Sequence, residues 1–245
     1  MTPSLKHADI PDSPPARWDA RWKLAAVLVA VAGIAALDHL APAAVALTLS
    51  LILLALARLP WRWVRFRLSL FVLAALPFLI VLPVTLDGTG RFSERGLVAG
   101  MAVFCRCVAI GALALVLVGT APVHRTITAA HKLKVPGLLV LLALLAYRYA
   151  FLLADELRRL RVALRVRGFR ASATRRGYTT LGHVAGAVLV RGADRADRVS
   201  EAMRCRGFDG RFHTLTAFRT SPADVVSFLF VGCAAAALVI WDRFG

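Results

Sequence analysis

Two short stretches of this 245-residue chain place residues capable of chemistry in matched settings. Ala163-Leu164-Arg165-Val166-Arg167-Gly168-Phe169 is echoed by Ala202-Met203-Arg204-Cys205-Arg206-Gly207-Phe208, with five of seven positions identical and the others exchanging one apolar residue for another. Both copies follow an amphipathic helical pattern and reach a glycine, the residue suited to a left-handed helix end. Each therefore puts two arginines in a last helical turn, where the helix dipole favours a cation. That effect accounts for one such end. A matched pair also suits a partner that offers two equivalent acidic or carbonyl-lined grooves, as a two-fold dimer does. The planar, five-donor guanidinium favours defined docking over diffuse attraction.

Other chemistry finds little support. No G-x-x-x-x-G-K-[ST] phosphate loop is present, so the chain cannot itself be a nucleotide-hydrolysing part and reads as non-catalytic. His7, His39, His124, His131, His183 and His213 are scattered, without ligand spacing to cysteines or carboxylates. Cys105 and Cys107 lie two apart in an apolar run and diverge by about 200° on a helix. With Cys205 and Cys233 they read as small buried hydrophobes rather than as a zinc site or a disulfide framework. No resident metal or cofactor is expected. An intramembrane lipid-modifying enzyme is the main alternative, but Asp87 and Asp155-Glu156 do not assemble the acidic set it would need. A stand-alone channel or carrier is the other.

The elements that must carry the arginines are membrane helices. Hydrophobic residues make up 59% of the chain, and 31 Lys+Arg oppose 14 Asp+Glu, a net charge of +17. The bases flank apolar runs or crowd into one stretch, which is a bilayer-orienting pattern rather than a nucleic-acid footprint. Spans are predicted near 24–37, 43–57, 68–86, 97–119 and 223–241, each close to the ~20 residues a ~30 Å hydrocarbon core requires, the first two marginally. The N-terminal tail carries Lys6, Arg17, Arg21 and Lys23. The turn after the second span carries Arg58, Arg62, Arg65 and Arg67 with Trp61 and Trp63 as interface anchors, and the turn after the fourth carries Arg125, Lys132 and Lys134. The alternate turns are Asp38-His39 and Asp87 to Arg95, which have no net positive charge. Tail and even turns are therefore assigned to the cytoplasm, and Gly245 to the outside. The first 22 residues lack an apolar core segment, so no cleavable signal peptide is expected.

Gly137 to Leu153 is apolar enough to span, but crossing there would export residues 155–219, which hold fifteen arginines against six acids. Its apolar stripe also continues through Leu157, Leu160 and Leu164 beside Arg158, Arg161 and Arg165. Residues 137–168 are read as one long helix at the cytoplasmic face. The chain divides into a membrane bundle (1–136), a cytoplasmic or interfacial helical region (137–220) and a last span. Pro77 and Pro83 fall inside the third span, as packing residues or a hinge. Arg106 falls mid-way along the fourth and is expected to face the bundle interior as a tie between helices.

In this order and context, a set of weaker motifs resembles the transmembrane T component of energy-coupling factor (ECF) transporters, of the CbiQ/NikQ type that imports cobalt and nickel. The set includes Arg21-Trp22-Lys23-Leu24, Thr120-Ala121-Pro122, Leu133-Lys134-Val135-Pro136, Tyr147-Arg148-Tyr149 and Asp155-Glu156. The two Arg-Gly motifs, about forty residues apart, complete it. The family's signatures are commonly written Ala-Arg-Gly; here they stand as Val166-Arg167-Gly168 and Cys205-Arg206-Gly207, a change expected to affect local packing more than arginine presentation. The resemblance implies an all-α multi-pass protein of the bacterial inner membrane that works with an ATP-binding-cassette ATPase of two subunits. It also implies a metal-binding S component and a small accessory membrane subunit. It implies that Arg167 and Arg206 each enter a groove of one ATPase subunit, supported by Arg165 and Arg204, with Gly168 and Gly207 ending the helices. Gly137 to Leu153 would then meet the S component.

Overall fold

The computed structural model describes residues 18–85, 93–132, 135–169, 172, 174–208 and 221–244. Lys6, His7, Arg17, Leu86, Asp87, Leu133, Lys134, His213 and Gly245, named above, lie outside the described residues. The described elements are helices: α1 (Ala20–Ala35), α2 (Leu40–Leu56), α3 (Trp61–Thr85), α4 (Glu94–Thr120), α5 (Val123–Lys132), α6 (Gly137–Val166), α7 (Arg175–Cys205) and α8 (Pro222–Phe244). By length and apolar composition α3, α4, α6 and α8 could each cross a bilayer, and α2 is a shorter apolar helix. The protein is an all-α membrane protein. Two compact units can be separated, one of Met1–Leu133 with Thr216–Gly245, the other Lys134–Leu215.

In the first unit, α4 is the centre. Its C-terminal half packs through Ala109 and Leu113 against Ala30, Ile34 and Leu37 of the α1 end and Ala46 of α2. Ala112, Leu115 and Val116 pack against Leu54, Ala57 and Val64. Small side chains let the backbones approach where lipid supplies no hydrophobic driving force between helices. The N-terminal half of α4 meets α3 by the same means: a Cβ at Gly96 would lie 2.7 Å from Pro83 Cα, and one at Gly100 would lie 3.2 Å from the Phe78 carbonyl oxygen. The helix α3 continues through both prolines and begins at Trp61, earlier than the apolar run alone indicates. Its basic first turns are held by contacts such as the Arg67 guanidinium 3.8 Å from the Trp63 ring centre.

Two carboxylates of α8 fasten this unit. Asp224 accepts from the Asp19 amide at 3.2 Å and the Ser221 amide at 3.0 Å. Asp242 accepts from the Asp38 and His39 amides at 2.8 Å each and lies 3.1 Å from His39 Nδ1. It supplies the cap that α2's own sequence lacks, since His39 makes no side-chain cap bond. Lys23 is buried, and its Nζ donates to Thr120 Oγ1 at 3.1 Å and to the Thr120 carbonyl oxygen at 3.4 Å. Arg106 has Nη1 3.9 Å from Asp38 Oδ1, which makes it a tie between α4 and the α1–α2 turn.

The cysteine expectation needs correcting. Cys205 and Cys233 are exposed and Cys105 and Cys107 half-buried. The helix α8 turns Ala235 onto Gly33, and two residues of helix carry Cys233 to the opposite side.

Candidate functional site

The two Arg-Gly motifs end α6 and α7, in the second unit. At the first, Gly168 has φ +77°, its amide donates to the Arg165 carbonyl at 3.1 Å, and the Phe169 amide reaches back to Leu164 at 3.0 Å. At the second, Gly207 has φ +75°, its amide donates to Arg204 at 3.0 Å, and Phe208 reaches Met203 at 3.1 Å. Both are Schellman ends, in which a left-handed residue turns the chain so that two further amides satisfy terminal carbonyls. Positive φ, not crowding, makes glycine the fitting residue: a Cβ at either site would meet nothing within 4 Å. Phe169 and Phe208 are half-buried, as are Leu164 and Met203, the two positions between which such a motif makes its apolar contact. The phenylalanines are part of the device. The repeat in the sequence contains them, but only the amide bonds give them their role.

Arg165 and Arg204 lie in the last helical turns and Arg167 and Arg206 are the C-cap residues. All four are exposed, and among the described residues none makes a side-chain hydrogen bond or ion pair. Four guanidinium groups therefore stand in two like-shaped settings with their donors uncommitted. Val166 is 83% exposed and Cys205 is exposed too. The residue before each Arg-Gly pair thus belongs to the presented surface, so the expectation that its change acts on local packing is corrected: a C-cap neighbour on the outer side has nothing of its own chain to pack on.

The two helices touch near their middles. Glu156 of α6 pairs with Arg191 of α7, and a Cβ at Gly192 would lie 3.6 Å from Leu153 Cδ2. Neither contact has a sequence signal stronger than one charged or small residue on a helix. From this contact the arginine ends lie along helical arms of about 16 Å for α6 and about 22 Å for α7. The stripe Leu153, Leu157, Leu160 and Leu164 is half-buried, while Arg158, Arg159 and Arg161 are exposed. Two rigid arms carrying cations can dock on acidic or carbonyl-rich surfaces. Among the described residues no group of three or more His, Cys, Asp or Glu could hold a metal ion.

Comparison with known proteins gives a consistent picture. The family model described as CbiQ, a cobalt transport protein, matches residues 11–216. The cobalt transport protein CbiQ of Rhodobacter capsulatus is 31% identical over 137 residues, covering 56% of this chain and 54% of that protein. An uncharacterized protein of Methanocaldococcus jannaschii is 25% identical over 138 residues, covering 56% of this chain and 51% of its own length. The chain spans about half the length of the curated relatives it matches.

Proposed function

We propose a role for this chain, which belongs to the CbiQ cobalt transport protein family: it is the energy-coupling transmembrane subunit of an ATP-driven importer of cobalt or nickel. The observation that carries this reading is the pair of matched, exposed Schellman ends with uncommitted arginines. A two-subunit ATPase of the ATP-binding-cassette type offers one groove per subunit, and Arg167 and Arg206 occupy them, flanked by Arg165 and Arg204. Closure of the ATPase on ATP moves the two ends relative to each other. Because α6 and α7 are continuous helices fixed together at Glu156–Arg191, end movement becomes movement of the apolar part of α6. There it acts on an S component, which holds the metal ion and releases it inward. A small accessory membrane subunit completes the assembly.

The basic turns place the N-terminus and the α6–α7 unit on the cytoplasmic side of the inner membrane, with the C-terminus outside. A cysteine placed near the C-terminus should react with an impermeant thiol reagent from outside, and labelling only from the cytoplasm would overturn this sidedness. The docking is tested by Arg167→Glu with Arg206→Glu in the assembled transporter. Reversal of both charges should lower ATPase co-purification and ATP-dependent uptake by more than about tenfold, as loss of buried charge pairs does at interfaces. Unchanged assembly and uptake would defeat it.

A further inference from the structure

The helices of the first unit end at two different depths. At one end α1, α4 and α8 are level, tied through Lys23–Thr120 and Asp19–Asp224. From Lys23 to the end of α1 at Ala35 is about 18 Å, with Asp38 three residues further on, and from Thr120 back to Arg106 along α4 is about 21 Å. These two paths meet again at the Asp38–Arg106 contact, where Asp242 of α8 also arrives. The α1–α2 turn and the end of α8 thus stop beside the middle of α4. Beyond Arg106, α4 continues for about 18 Å to Glu94, accompanied by the second half of α3. Both core clusters take their α4 residues from Ala109 onward, whereas Gly96 and Gly100 meet α3.

The projecting hairpin is apolar. No charge occurs from Gly96 to Cys105, and Ile80, Val81, Leu97, Val98 and Met101 are exposed. Such a surface belongs in lipid. A hydrocarbon core of ~30 Å then extends about 10 Å beyond the turn. Yet at the turn the side chains of Asp38 and His39 are 78% and 70% exposed, and Nε of Arg106 is buried without a hydrogen-bond partner. Charges at that depth are costly in lipid and are found paired or facing water. Asp38 and Arg106 pair only at 3.9 Å, and most of the carboxylate is uncovered.

We propose that a water-filled crevice descends from the extracytoplasmic surface to the Asp38–His39 turn, walled on one side by the α3–α4 hairpin, and hydrates Asp38, His39 and Arg106. Its direction rests on the sidedness proposed above. On this account the aqueous phases approach within about 21 Å of each other, the path from Thr120 to Arg106 along α4.

Single-cysteine chains test this in the assembled transporter, with the four natural cysteines replaced and an impermeant maleimide added from outside. His39→Cys and Asp38→Cys should react about tenfold or more faster than Ile80→Cys and Val98→Cys, because thiolate forms in water and not in lipid. That order is the reverse of depth, since Ile80 and Val98 stand nearer the outer surface. Equal, slow reaction at all four positions would mean lipid fills the space. Equal, fast reaction would mean the hairpin stands in water above a thin membrane, and either result overturns the crevice. The same fast-and-slow pattern obtained only from the cytoplasmic side would keep the crevice and overturn the sidedness. Because Asp38 contacts Arg106 and His39 does not, agreement between the two variants separates hydration from loss of that contact.

Discussion

In the membrane bundle Lys23, Asp224 and Asp242 are buried, and each directs its polar atoms to the chain itself. In the α6–α7 pair Arg165, Arg167, Arg204 and Arg206 are exposed and direct theirs outward. The same chemistry, a charge near a helix end, thus closes one region and leaves the other open. The difference is what the proposed docking at the open ends rests on. A charge satisfied at 2.8 Å by two backbone amides has little left to offer a partner. A guanidinium held by backbone geometry alone keeps all its donors.

Substitutions can break that contrast, and Asp242→Ala should have the largest effect. It strips the Asp38 and His39 amides, which lead into α2, of their acceptor, at about 2 kcal/mol or more in total. The thermal midpoint of the purified chain in detergent should fall accordingly, and an unmoved midpoint would mean that water caps α2 equally well. Gly96→Ala comes next, since its Cβ would lie 2.8 Å from the Leu82 carbonyl oxygen and must push backbone from backbone. A cost of about 1–3 kcal/mol is expected, read in the same melt, with Gly182→Ala on open α7 as the neutral control.

The outward-facing region should respond differently. Gly168→Ala and Gly207→Ala force alanine into positive φ, at about 1 kcal/mol each. The loss should be local: faster hydrogen exchange at the Phe169 and Phe208 amides, weaker ATPase co-purification, and a bundle midpoint that does not move. A lowered midpoint instead would show that these ends help hold the bundle. Smallest is Glu156→Gln. The Glu156–Arg191 pair is partly exposed, and its loss should cost less than about 1 kcal/mol. If the pair is what makes α6 and α7 move together, ATP-driven uptake should fall more than stability does.

Much of the fold was legible because its causes are local. An apolar run long enough to cross a bilayer identifies itself, and so does a leucine stripe such as Leu153, Leu157, Leu160 and Leu164. Glycine after a basic helical turn marked both Schellman ends before any φ angle was available. The helix α5 was not legible: Val123–Lys132 is neither strongly apolar nor bounded by a cap, and it is held by packing at the buried Ala129 and Thr128. Nor was the early start of α3, where arginines that read as a turn continue a helix. Cys233 misled because its burial depends on which side of α8 faces α1, where Ala235 meets Gly33.

By itself, then, the sequence determined an all-helical membrane chain, the ends of α6 and α7, and the four arginines those ends carry. Each follows from residues within a few turns of one another. The tertiary structure decided that Asp242 caps α2, that Asp224 holds the start of α1, and that Lys23 lies against Thr120. It also decided that the α1–α2 turn stops beside Arg106. These contacts join residues up to 205 positions apart. No local pattern encodes them, because a carboxylate or a lysine acquires its partner only when the packing of small residues has set the helices side by side and fixed their relative depth.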